Sequence, residues 1–215
     1  MIRGEIARRV FGRIQLYHKF KLSESITQAL QVNTDRGKAG SLFEEAVHQK
    51  FSAGIRFQPR GVTPDAPQLD IKILKLDQEH DLYFDNLSVR AAKGSCKVKA
   101  KYLDRHMVPI SKTKESVDSV WISESCTVFF QITVFPRHPV KLHGIIELLT
   151  QLPTAARKNV HIVFILPTHD EATKNFKCQK IDRPAGVILK SKVTTAEAVD
   201  KFPQYVHYVD LSNFN

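Results

Sequence analysis

An apolar run from Thr127 to Phe135, TVFFQITVF, is interrupted at two positions of the same parity, Gln131 and Thr133. Successive side chains of a strand alternate between its faces. The two polar groups therefore share one face, while Phe130, Ile132 and Val134 take the other. A strand just upstream, about Val117 to Ile122, carries a lone acid, Asp118. Polar groups inside an apolar layer are costly unless something polar is bound there. The segment predicts two adjacent core strands that bring an acid and an amide side by side.

The flanking sequence extends this pair into an α/β unit. Pro136 ends the second strand, and Pro139 suits the first turn of a helix. Leu142, Ile145, Leu149 and Leu152 give that helix one apolar face, and Pro153 closes it. Lys141 falls roughly 60° from the centre of that face at about 100° per residue, close enough to lean toward the strands. HIVFIL, residues 161–166, is a short continuous apolar run of the kind expected of a buried strand.

Upstream, residues 41–51 predict a helix with Phe43, Val47 and Phe51 on its buried stripe. Ser41 and Glu44 have the spacing of a capping box. Glu44 lies beside the stripe and Glu45 points away from it, so Glu44 has two available roles, cap and interior carboxylate. Residues 33–40 read as a polar turn; their GKAGS lacks the spacing of a phosphate loop. Residues 71–76, 82–89 and 96–103 read as strands of an antiparallel meander that ends in the first core strand. Residues 2–20 predict an amphipathic helix with a basic face containing Arg8, Arg9 and Arg13, and residues 23–32 a second short helix. Strands are expected at 186–190 and 205–211, and a helix at 194–202. The expected organisation is an N-terminal helical extension over 1–37 and an α/β domain over 38–215, with helices flanking a mixed central sheet.

The 215 residues carry 32 Lys and Arg against 22 Asp and Glu, a formal net charge of +10. Such an excess points to an anionic partner, most commonly nucleic acid. Arg8, Arg9, Arg13, Lys112, Lys114, Arg137 and His138 are the expected nucleic-acid contacts. Three cysteines without a CxxC pair argue against a thiolate zinc site and a disulfide framework, and suit a reducing interior. The start of the chain has no apolar signal segment, and no run reaches the roughly 18 apolar residues of a membrane span. An intracellular protein, or a domain of a longer one, is expected. His138 and His143 do not share a helical face, and no Ser/His/Asp or Cys/His triad can be assembled by spacing.

Oxygen donors on neighbouring strands suit a hard divalent cation. Asp118 supplies a carboxylate, Gln131 a carbonyl, and Glu44 a further carboxylate from the helix behind. A lysine beside them would stabilise charge developing on a phosphate. Metal-assisted hydrolysis of a phosphodiester is the reaction that such a set serves. The plainer alternative has Asp118 capping a turn through SVDS while Gln131 and Thr133 hydrogen-bond on an exposed sheet face.

The string YLDRHMVPISKTKESVDSVWISESCTVFFQITVFPRHPVKLHGIIELL resembles the core of Crinkler-type effectors of oomycetes and fungi, and of retrotransposon-hot-spot proteins of trypanosomes. The motifs run in order: a Tyr before a short Pro loop, S-x-D-S, F-Q-x-T-V, then H-P-x-K and a helix. GKAGSLFEEAVHQKF upstream and FILP at 164–167 extend the resemblance to about residues 38–168. It implies a restriction-endonuclease-like domain of the PD-(D/E)xK type, a magnesium- or manganese-dependent DNA nuclease. It also implies a companion ATPase module or host protein partner, and action in a host nucleus. By motif, Glu44 corresponds to the helix acid, Asp118 to the metal-binding Asp and Gln131 to the Glu/Gln of the (D/E)xK element. Thr133 departs from the pattern, since active nucleases place lysine there; Lys141 is the natural substitute. The rival expectations are a nucleic-acid-binding or interaction domain that has kept the fold without the chemistry, and a toxin acting through a protein partner.

Overall fold

The computed structural model describes residues 24, 26, 28, 36–76, 83–84, 88–90, 96–98, 100–110, 117–152, 156–168, 175–182 and 201–211. In chain order these hold helix α1 (Arg36–Ser52) and strands β1 (Ile55–Phe57), β2 (Arg60–Gly61), β3 (Ile71–Ile73), β4 (Tyr83–Phe84), β5 (Ser88–Arg90) and β6 (Cys96–Val98). There follow β7 (His106–Pro109), β8 (Ser119–Ile122), β9 (Thr127–Ile132), β10 (Val140–Lys141), helix α2 (Leu142–Gln151), β11 (Val160–Pro167), β12 (Ile181–Asp182) and β13 (Gln204–Val209). The expected helices at 2–20 and 194–202 and the strand at 186–190 fall wholly or almost wholly outside the described residues. Within 23–32, residues 24, 26 and 28 are helical.

A seven-stranded mixed sheet runs β2-β13-β11-β9-β8-β7-β4. β7, β8 and β9 form an antiparallel meander. β9, β11 and β13 are parallel to one another. The chain is thus mixed α/β, as the alternation of patterns predicts. α2 supplies the crossover between β9 and β11, as a parallel pair requires.

β9 and β11 are buried at every position. Phe129, with Val120, Ile122 and Phe164, joins a core that includes Leu142, Ile145, Leu149 and Leu152 of α2. Val128, Phe130 and Ile132 join a second core with Phe43, Val47 and Phe51 of α1. One helix therefore covers each face, and alternation along β9 decides which core each side chain enters.

Several boundaries differ from expectation. α1 begins at Arg36, so Ser41 is inside it and its Oγ donates to Gly37 O at 3.2 Å. The capping box therefore does not form. Residues 37–40 remain helical because the segment is docked: Ala39 is fully buried, and a Cβ at Gly40 would touch Val134 at 3.9 Å. At the other end Gly54 adopts φ 89° and its N–H donates to Phe51 O, which stops the helix. Pro139 precedes α2 instead of entering its first turn, and Lys141 is the N-cap residue. The stretch 71–103 is not one meander. β1 pairs with β3 and β5 with β6 in separate two-stranded sheets, while β4 joins the main sheet in parallel beside β7. Strand β7 itself, HMVP, has too short and irregular a pattern to be predicted as a strand.

Phe130 is fully buried between Phe51 (ring centroids 5.4 Å apart), His106 (5.8 Å) and Phe57 (6.4 Å). Phe130→Ala should cost about 3–5 kcal/mol. Urea unfolding checks this: the midpoint should fall at nearly constant slope. A loss under about 1 kcal/mol would mean that this ring does not dock α1 on the sheet.

Candidate functional site

Asp118 immediately precedes β8. Its N–H donates to Phe130 O at 3.0 Å, and Ser119 pairs with Phe130. The register therefore sets Asp118 level with Gln131. Its Oδ2 accepts the Ile132 N–H at 2.6 Å. The acid thus ties the start of β8 to the end of β9, not to a turn through SVDS. β9 and β11 also finish at this end of the sheet, and the carboxyl ends of parallel strands are where open α/β sheets take ligands.

Gln131 is only 2% exposed and Thr133 only 3%, so the exposed sheet face of the plainer alternative does not exist. Gln131 pairs with Phe164 and alternates with Phe129, which places it on the α2 face. Its Oε1 is buried with no hydrogen-bond partner among the described residues. A buried carbonyl oxygen left unpaired costs about 1–3 kcal/mol.

Glu44 reaches Asp118 electrostatically. Burial, then the Glu44 carboxylate, pushes the Asp118 carboxyl up to about 8, while the Ile132 N–H acts the other way. Glu44 itself is 44% exposed, and its Oε1 lies 3.5 Å from His48 Nε2, one helical turn on. His48 Nδ1 lies 3.0 Å from His106 Nε2. Both rings are buried, beside Phe51.

Thr133 continues the β9 backbone, its N–H donating to Ile165 O at 2.9 Å. Its Oγ1 accepts the Phe135 N–H at 3.1 Å and lies 3.2 Å from His138 Nδ1. Burial, then Lys141, lowers the His138 pKa, so Lys141 acts on the group that Thr133 holds. Lys141 is exposed on β10, where it pairs with Asp182. The loop before it is pinned by Gln179, whose Oε1 accepts the His138 N–H at 2.7 Å and whose own N–H donates to Gln204 Oε1 at 2.7 Å.

Glu44 thus acts on the Asp118 carboxyl through its charge, Gln131 is level with Asp118, and Thr133 is linked through His138 to the loop that carries Lys141. Arg137 is exposed on the same loop. Arg8, Arg9, Arg13, Lys112 and Lys114 lie outside the described residues. Among the described residues no group of three or more His, Cys, Asp or Glu side chains is arranged to hold a metal ion. A cation here would draw on Asp118, with Glu44 from the α1 side and the Gln131 carbonyl from the α2 side; that oxygen, unpaired among the described residues, is of the hard-donor type such an ion takes. His48, His106, Gln179 and Gln204 are additions to the expected set. Only His48 had a signal, its position four residues after Glu44.

Compared with known proteins, the chain matches no family model, no curated protein and no solved structure.

The Asp118 carboxyl is raised on folding, so between about pH 4 and 8 the folded chain keeps a proton that the unfolded chain has released. Stability must then fall as pH rises through that window. Asp118→Asn keeps an acceptor for the Ile132 N–H and removes this charge cost. It should be more stable than wild type at pH 8, on the order of 1–3 kcal/mol, and equal to it near pH 4. Thermal unfolding at both pH values tests this; equal melting shifts at the two would refute it.

Proposed function

We propose that the chain is a metal-dependent nuclease-type domain that hydrolyses phosphodiesters in DNA. The observation that carries this reading is the Gln131 carbonyl oxygen, buried without a partner among the described residues and level with Asp118, whose charge burial disfavours. Asp118, Glu44 and Gln131 would hold Mg²⁺ or Mn²⁺. A bound cation would offset the cost of ionising Asp118 beside Glu44, and would supply Lewis-acid stabilisation of the phosphate. Lys141 would contribute positive charge from the start of α2, and His138 would hold the loop that presents it. The net charge of +10 supports a polyanionic substrate. The order α1, β7, β8, β9, α2, β11 supports a restriction-endonuclease-like unit, with the acid and the amide on adjacent core strands. On the resemblance to Crinkler-type and retrotransposon-hot-spot proteins, the domain would work beside an ATPase module or a host protein, in a host nucleus.

One observation favours a second reading, a nucleic-acid-binding domain without cleavage. Thr133 stands where lysine is expected, and its hydroxyl is engaged by Phe135 and His138.

Plasmid cleavage with Mg²⁺ or Mn²⁺ decides between them. Nicking should require metal and disappear in Asp118→Ala, and Lys141→Ala should slow it about 10²-fold. DNA binding without nicking, weakening steeply with salt, would replace the first reading by the second.

A further inference from the structure

The buried histidine pair beneath Glu44 has no assigned role in the metal set, and its hydrogen bonding has a direction. His48 Nδ1 and His106 Nε2 are 3.0 Å apart, so one proton lies between them. His48 Nε2 lies 3.5 Å from Glu44 Oε1, within ion-pair distance, but makes no hydrogen bond among the described residues, and neither does His106 Nδ1. Two arrangements of neutral rings are available. If His48 donates to His106, its Nε2 lone pair faces a carboxylate, and His106 Nδ1–H is a buried donor without an acceptor. If His106 donates to His48, then His48 Nε2–H points at Glu44 and only an acceptor at His106 Nδ1 is left over. The second arrangement replaces a repulsion by an attraction and moves the unpaired donor from the apolar His106 Nδ1 position to one that faces a carboxylate. Full burial of His106 between His48, Phe51 and Phe130 disfavours its charged form and keeps this ring neutral.

We propose that His106 and His48 form a one-way hydrogen-bond relay, His106 Nε2–H to His48 Nδ1 and His48 Nε2–H to Glu44, that fixes the Glu44 carboxylate beside Asp118. His48 is then a positioning residue for the metal set, and this role rests on the cation reading given above. Glu44 springs from a half-exposed helix face, where a long carboxylate side chain has several rotamers to choose among. A donor anchored in the α1 core limits that freedom. Partners that orient metal-binding carboxylates and imidazoles act in this way from outside the metal's own ligands. The 3.5 Å spacing is loose, as such contacts are before a ligand tightens them.

Two measurements on the full chain test the proposal. Ring-nitrogen NMR with labelled histidine should show both His48 and His106 as Nε2–H tautomers at neutral pH. A His48 protonated at Nδ1 would overturn the relay whatever the chain binds. Calorimetric titration with Mn²⁺ alone should show affinity about 10–100-fold weaker in His48→Phe. His48→Gln places an amide N–H near the Nε2 position and should bind close to wild type, a rescue that packing alone would not produce. Wild-type affinity in His48→Phe would overturn the positioning role while leaving the metal set intact. Wild type that binds no Mn²⁺, or binds it unchanged after Asp118→Ala, would overturn the metal reading and the relay's role in it, even with the tautomers as expected.

Discussion

Everything in this fold depends on one strand being covered on both sides. β9 has α1 over one face and α2 over the other, and every one of its residues is buried. A strand in that position has no solvent face on which to park a polar group. Gln131 therefore occupies a site that Phe or Val would fill at lower cost, level with the acid that begins β8. The hydrogen bond from Ile132 N–H to Asp118 Oδ2 fixes that meeting. It also keeps one carboxylate oxygen engaged with the backbone, leaving the other for whatever reaches the end of the sheet.

Legibility followed periodicity and length. Val160–Pro167 was readable because eight buried residues in a row leave little but a central strand. The apolar stripes of both helices were readable for the corresponding reason at a period of 3.6. The start of α1 was not, because RGKAG carries two glycines and two cations. Its helicity comes from Ala39 and Gly40 lying against the sheet, a tertiary effect that local propensity does not contain. β7 left no readable signal, and the strands expected at 71–76, 82–89 and 96–103 are found there only in part and without the expected pairing. Two- to four-residue strands have no period to read, and their pairing, parallel for β4 and antiparallel for β5 and β6, is set by what they dock against. In the site, parity placed Gln131 and Thr133 together, while a buried contact between His48 and His106, 58 residues apart, leaves no local trace.

The polar groups at this end of the sheet divide by how well they are paired. Gln179 and Gln204 pair directly: the Gln179 backbone N–H donates to Gln204 Oε1 at 2.7 Å, and Gln204 Nε2–H donates to Gln179 O at 2.9 Å. Such a network gives a loop a single geometry, because each member has its partner. Gln131 Oε1 and the Asp118 carboxyl are the opposite case, one unpaired and one whose ionisation is disfavoured. Among the described residues the buried unpaired atoms also include Ser119 Oγ beside Asp118 and His161 Nδ1 on β11, so the unmet polar capacity is not confined to the acid and its neighbouring carbonyl.

Thr133 gains a different meaning in this light. Its Oγ1 accepts the Phe135 N–H, so its single proton is free to go to His138 Nδ1. Burial, then Lys141, lowers the His138 pKa, and a neutral His138 ring can take that proton at Nδ1. The hydroxyl thus turns the chain sharply out of β9 and aims the next loop back over the α2 face, where Val140 enters the core and Lys141 begins the helix. A lysine at 133 would lack the short acceptor that makes this turn. Thr133 therefore fixes the start of the loop whose far end carries Lys141, eight positions further along.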